Sequence, residues 1–125
     1  MFSKKAILQA VSKGLLKFEP FDKSQIESAH INFHLSDSLK IQPKGFAVAK
    51  TIEKITLSGN ICGIIEGRAT LAKQGISVEQ SSTFIEPGSD NQITLEIFNA
   101  SDKRVELKAG QEIAKIFILK VVDNI

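Results

Sequence analysis

The chain has 125 residues, 42% of them apolar and 24% charged, and sixteen basic against fourteen acidic side chains leave a net charge of +2. That length suits one compact domain over residues 1–125, and so small a charge, with no basic block, argues against nucleic acid as a partner. The lone cysteine, Cys62, excludes an internal disulfide and a paired-cysteine zinc site and suggests a reducing compartment; no apolar run reaches the roughly 18 residues of a membrane span, so no membrane contact is expected and the cytoplasm is the expected location.

Ser3 is an N-cap by residue type. Ile7, Leu8, Val11 and Leu15 then recur at helical spacing and Gly14 suits a stop, which predicts a short amphipathic helix over residues 4–13. Gln9, Ser12 and Lys13 break its apolar run, so it reads as part of the fold and not as a secretion signal. Over residues 29–35, Ile31, Phe33 and Leu35 alternate with polar residues, as in a half-buried strand. His30 and His34 fall in this stretch. In a strand they share a face but stand about 13 Å apart, too far to hold one metal ion.

Residues 46–49 and 54–57 predict two further short strands, with turns at Gly45 and Ser58-Gly59-Asn60. Residues 67–73 tolerate a helix of about two turns. After the turn Pro87-Gly88-Ser89-Asp90, residues 93–98, 104–107 and 113–119 complete the strands, and Lys108-Ala109-Gly110-Gln111 turns between the last two. Short strands punctuated by turns predict a mainly β sandwich or barrel. Glu96 stands alone inside the run Ile93-Thr94-Leu95-Glu96-Ile97-Phe98. A buried unpaired charge is costly, so this carboxylate needs a partner, solvent or a chemical task. The wet face of an antiparallel strand would also accommodate it.

Several segments share one order and spacing. They are Gly67-Arg68-Ala69-Thr70-Leu71-Ala72-Lys73, Gly75-Ile76, Pro87-Gly88, Thr94-Leu95-Glu96-Ile97 with Asn99, and Lys108-Ala109-Gly110-Gln111-Glu112-Ile113. In them the chain resembles the deoxycytidine triphosphate deaminase and deoxyuridine triphosphatase superfamily, most closely its deaminase branch. The resemblance implies a distorted β-barrel or jelly-roll-like fold, the dUTPase-like β-clip, with a short N-terminal helix and one short internal helix. It implies a homotrimer with sites at subunit interfaces. It implies a nucleoside triphosphate ligand carrying Mg²⁺ on its phosphates, and conversion of dCTP to dUTP with release of ammonia and without zinc.

Under that resemblance Glu96 falls on the catalytic glutamate, which takes a proton from water and returns one to the leaving amine. Gly67, Arg68, Ala69, Thr70 and Lys73 fall on the substrate- and phosphate-binding segment, where a helix start and an arginine fork suit anions. A surface or interface salt bridge is the plain alternative for Arg68. Glu86 falls near the water-activating aspartate of triphosphatase members. It is the alternative catalytic carboxylate, for a dUTP diphosphatase, although one methylene longer. The chain departs from the family pattern at Ala69 for serine, Lys73 for arginine and Asn32 for aspartate. It also stops at Asp123-Asn124-Ile125, where the family folds a tail over the nucleotide. A trimeric binding or assembly module that has lost catalysis is therefore a third reading.

Overall fold

The computed structural model describes residues 1–125. Ser3 is extended and its hydroxyl accepts the Ala6 N–H at 3.2 Å, after which α1 runs over Lys4–Ser12. The helix buries Ile7 and Ala10. Its N-terminal end is tied down by the N–H groups of Phe2 and Lys4, which donate to the carbonyls of Ile118 (2.8 Å) and Ser28 (2.7 Å).

Ten strands follow: β1 (Leu16–Glu19), β2 (Ile31–His34), β3 (Leu39–Ile41), β4 (Phe46–Leu57), β5 (Ile61–Glu66), β6 (Ile76–Ser77), β7 (Phe84–Ile85), β8 (Asp90–Asn99), β9 (Val105–Leu107) and β10 (Glu112–Lys120). They form two four-stranded sheets, ordered β1-β4-β8-β6 and β2-β10-β5-β7, and a separate β3-β9 pair. All pairings are antiparallel. Side chains from both sheets and from α1 merge into one cluster of 25 buried apolar residues, so the architecture is a sandwich-like, open and distorted β-clip. No helix is long and apolar enough to cross a membrane.

Residues 46–49 and 54–57 belong to one strand, β4, and not to two. The ladder between β4 and β8 shifts register between Lys50 and Lys54, a bulge that interrupts pairing without ending the strand. Thr51 fills the irregularity: its hydroxyl donates to the Glu53 carbonyl at 2.8 Å and accepts the Ile93 N–H at 3.1 Å. β2 is also more enclosed than alternation implies. Ile31 and Phe33 are fully buried, yet Asn32 between them is only 3% exposed. β5 was not visible in the sequence pattern because it lies inside its sheet, between β10 and β7, and carries apolar residues on both faces.

Two features set the corner where β6 begins beside the end of β8. Gly75 has φ +85°, and a Cβ there would stand 3.2 Å from the Ser101 amide nitrogen. Asn99, fully buried, donates to the carbonyls of Ile41, Gln42 and Lys103 at 2.7 to 3.2 Å and accepts from the amide and hydroxyl of Ser101. The asparagine that follows the Glu96 run is therefore a scaffold residue.

Candidate active site

Glu96 lies midway along β8. Its sequence neighbours Leu95 and Ile97 are fully buried in the core, so strand alternation turns the Glu96 side chain outward, where it is half-buried. Leu95 and Ile97 therefore do not enclose the carboxylate. Across the ladder Glu96 is in register with Val48, and Phe98 with Phe46. Val48 and Phe46 are 63% and 58% exposed, so the carboxylate sits on an apolar patch of the outer face. Its Oε1 accepts one long hydrogen bond, 3.3 Å from the Gln80 amide. It belongs to none of the five ion pairs of the chain.

The second candidate element is the corner between β5 and β6. The internal helix, α2 (Ala69–Ala72), is a single turn and shorter than the two turns expected. Arg68 does not begin it but caps it, in extended conformation, without a side-chain cap hydrogen bond. Instead its guanidinium reaches β2 and β10: Nη1 donates to Asn32 Oδ1 at 2.9 Å, and Nη2 stands 3.3 Å from Glu112 Oε1. Gly67, Ala69, Thr70 and Lys73 are exposed along this corner, while Leu71 anchors it in the core.

Val78 joins the two elements. A Cβ on Gly67 would stand 3.5 Å from Val78 Cγ2, and the Val78 carbonyl accepts the Glu96 N–H at 3.2 Å. One packed residue thus separates the glycine-arginine corner from the strand that carries Glu96. The two side chains do not meet within a protomer, and none of its five main cavities is lined by Glu96 or Arg68.

Glu86 is exposed and opens the turn Glu86-Pro87-Gly88-Ser89, in which Gly88 takes φ +80° and the Ser89 hydroxyl donates to the Glu86 carbonyl at 2.6 Å. It lines a cavity of about 250 Å³ whose polar wall includes Ser82, Asn91, Gln92 and Thr94.

Sequence reasoning passed over another carboxylate. Glu53, on β4, is 2% exposed. Its Oε1 accepts the His34 amide at 2.8 Å, and its Oε2 accepts Gln25 Nε2 at 2.9 Å and meets His34 Nδ1 at 2.5 Å. Gln25 also donates to the Asn32 carbonyl at 2.9 Å, so a polar chain runs from the buried glutamate to the strand residue that receives Arg68. The signal was present, since Glu53 is a lone acid among β-formers just as Glu96 is. His30 and His34 have separate surroundings. His34 sits against Glu53, while His30 precedes β2 with its ring centroid 5.9 Å from that of Phe117. Burial, then the nearby Lys115, hold the His30 imidazole below its ordinary pKa. Cys62 is a buried, free thiol. No group of three or more His, Cys, Asp or Glu side chains is placed to hold a metal ion.

A curated dUMP-forming dCTP deaminase of Aquifex aeolicus is 26% identical over 97% of this chain and 82% of its own length. A dCTP deaminase structure from Agrobacterium tumefaciens superposes with a TM-score of 0.77 at 13% identity, over 94% of this chain and 47% of that one. A native dUTPase structure of EIAV superposes with a TM-score of 0.72 at 22% identity, over 87% of this chain and 91% of that one. The two structures share the fold. The family model described as dCTP deaminase-like matches residues 30–121, and the chain belongs to that family.

Proposed function

We propose that the protein is a deaminase-like hydrolase of deoxynucleoside triphosphates, acting on dCTP. The observation that carries this is the state of Glu96. It is half-buried on an apolar patch, holds one 3.3 Å hydrogen bond and pairs with no cation of its own chain. Such a carboxylate keeps lone pairs free to meet water and substrate. In the proposed reaction Glu96 takes a proton from water as the water oxygen bonds to C4 of the cytosine ring. It then delivers a proton to the amino nitrogen as the C–N bond breaks, so dCTP and water yield dUTP and ammonia.

The exposed Gly67-Arg68-Ala69-Thr70 corner and Lys73 are the proposed phosphate-binding elements. Arg68 offers a planar fork of donors, Lys73 a point charge and Thr70 a hydroxyl in place of the Ala69 position. Mg²⁺ would be held by phosphate oxygens, since the chain presents no cluster of ligands for it. There it would offset phosphate charge. Because Glu96 and Arg68 do not meet within one protomer, we place the complete site between protomers of a homotrimer. Each protomer is then a single dUTPase-like unit over residues 1–125. The expected setting is the cytoplasm.

The test is to incubate dCTP and Mg²⁺ with the protein and measure ammonia, dUTP and dUMP together. Glu96→Gln should lower ammonia release by about 10² to 10⁴-fold, the range for a positioned acid-base group. Ammonia release at the wild-type rate in that variant refutes the assignment. The cavity beside Glu86 favours a second reading, hydrolysis of dUTP to dUMP and pyrophosphate with Glu86 activating water. That reading requires dUMP formation to fall in Glu86→Ala. If neither nucleotide is converted and neither binds, the chain is a binding or assembly module of this fold.

A further inference from the structure

Arg68 is already engaged by its own chain, and its two partners differ in kind. Asn32 is neutral, 3% exposed, and steadied through its carbonyl by Gln25 at 2.9 Å. Its 2.9 Å contact to Nη1 is a fixed strut. Glu112 is charged and its side chain is 45% exposed, and it stands 3.3 Å from Nη2. It is the first residue of β10, where the β10–β2 ladder shifts register between Glu112 and Ala114. The Arg68 side chain is 24% exposed and that of Glu112 45%, so Glu112 is the partner that can turn into water.

The surroundings carry both signs of charge: Lys115 beside Arg68, and the Glu66 carboxylate on β5. Lys115 is in register with Asn32 on one side and with Glu66 on the other. Its charge and that of Arg68 both disfavour protonation of His30. Of the nearby carboxylates, Glu112 is the one paired with the guanidinium, so an incoming phosphate meets its repulsion at Nη2. Like charges at such separations cost free energy even in a solvated setting.

We infer that Glu112 is a built-in competitor for the Arg68 guanidinium: a phosphate group gains Nη2 only as the Glu112 carboxylate turns into water, while Asn32 keeps the arginine in place. This rests on the reading of Arg68 as a phosphate-binding residue. It assigns Glu112 the role of setting how strong a polyanion must be to occupy the corner.

Calorimetric titration of the full chain with inorganic tripolyphosphate tests it, using wild type, Glu112→Gln, Arg68→Ala and the double variant. Glu112→Gln should bind about 5-fold more tightly than wild type, the worth of removing an exposed competing charge. Arg68→Ala should bind more weakly, and the double variant should bind as Arg68→Ala does. If Arg68→Ala weakens binding but Glu112→Gln matches wild type, the competitor role is refuted and the phosphate role of Arg68 stands. A gain that persists in the double variant also refutes the competitor role. Wild-type affinity in Arg68→Ala, or no heat from any form, overturns both. Glu112→Ala gives the same readings should the glutamine variant unfold.

Discussion

Glu53 and Glu96 stand on neighbouring strands of one sheet, and each follows a threonine by two positions in a run of β-formers. The fold treats them in opposite ways. Glu53 is 2% exposed and receives donors from the His34 amide, the His34 ring and Gln25. Glu96 is half-buried and receives one long contact. The difference does not lie in the local sequence. It lies in what the rest of the chain brings to each carboxylate: β2 and the turn at Lys23–Gln25 supply donors to Glu53, whereas only the loop at Gln80 approaches Glu96. A buried charge surrounded by donors is committed to the scaffold, and a sheltered carboxylate with few partners is available for chemistry.

The largest expected effect breaks this contrast directly. Glu53→Ala leaves three donors without their acceptor in the interior and should lower unfolding stability by about 3–5 kcal/mol. Glu96→Ala should stay within about 0.5 kcal/mol, as for a surface position. Urea unfolding of both variants decides the matter, and equal losses would mean that Glu96 is also a scaffold residue. Asn99→Ala is the next largest. It removes the amide that serves three carbonyls and Ser101 from a fully buried site, and it should cost about 2–3 kcal/mol. With Glu96→Gln losing activity and not stability, these variants would divide one short motif into a chemical residue and a structural one three positions apart.

Much of the scaffold was legible because it rests on local rules. Ser3 and Gly14 bound α1, Pro87-Gly88 turns the chain, and the alternation at Ile31 and Phe33 marks core positions. What was hidden depends on distant partners. β4 reads in the sequence as two strands, 46–49 and 54–57, because side-chain pattern does not distinguish a bulge from a strand end. β5 carried no alternation because both its faces are covered. Glu96 stands out in the sequence as a lone acid in a strand run, and the Gly67–Lys73 segment becomes a candidate only through the resemblance. Their geometry was not legible: that Arg68 reaches Asn32 and Glu112, and that Glu96 faces Val48, follow from strand order and register. His34 reads in the sequence as standing too far from His30 to share a metal ion; that its ring meets Glu53, nineteen positions away, is set by the fold alone.

The smallest effects are titrations, and they place stability at two pH windows. Burial holds the His30 pKa down in the fold, so the folded state prefers the neutral ring. Its contribution is complete above the unfolded value of about 6.5 and is lost as pH falls through the lower folded value. Asp90 is held down first by the Thr56 hydroxyl and then by Lys54, with contacts of 2.9 Å and 3.1 Å. Its contribution is complete above about 3.9 and is lost as pH falls through a value lower still. His30→Asn should therefore flatten the fall in stability just below about pH 6.5, and Asp90→Asn only the fall below about pH 4. Denaturant midpoints measured across pH for the two variants check this. Neither substitution bears on Glu53 or on Glu96, so a shift in either window should leave the difference between Glu53→Ala and Glu96→Ala at neutral pH unchanged. If Asp90→Asn alters that difference, the outer face of β4 and β8 is one coupled electrostatic surface, and Glu96 is less independent of its scaffold than its contacts indicate.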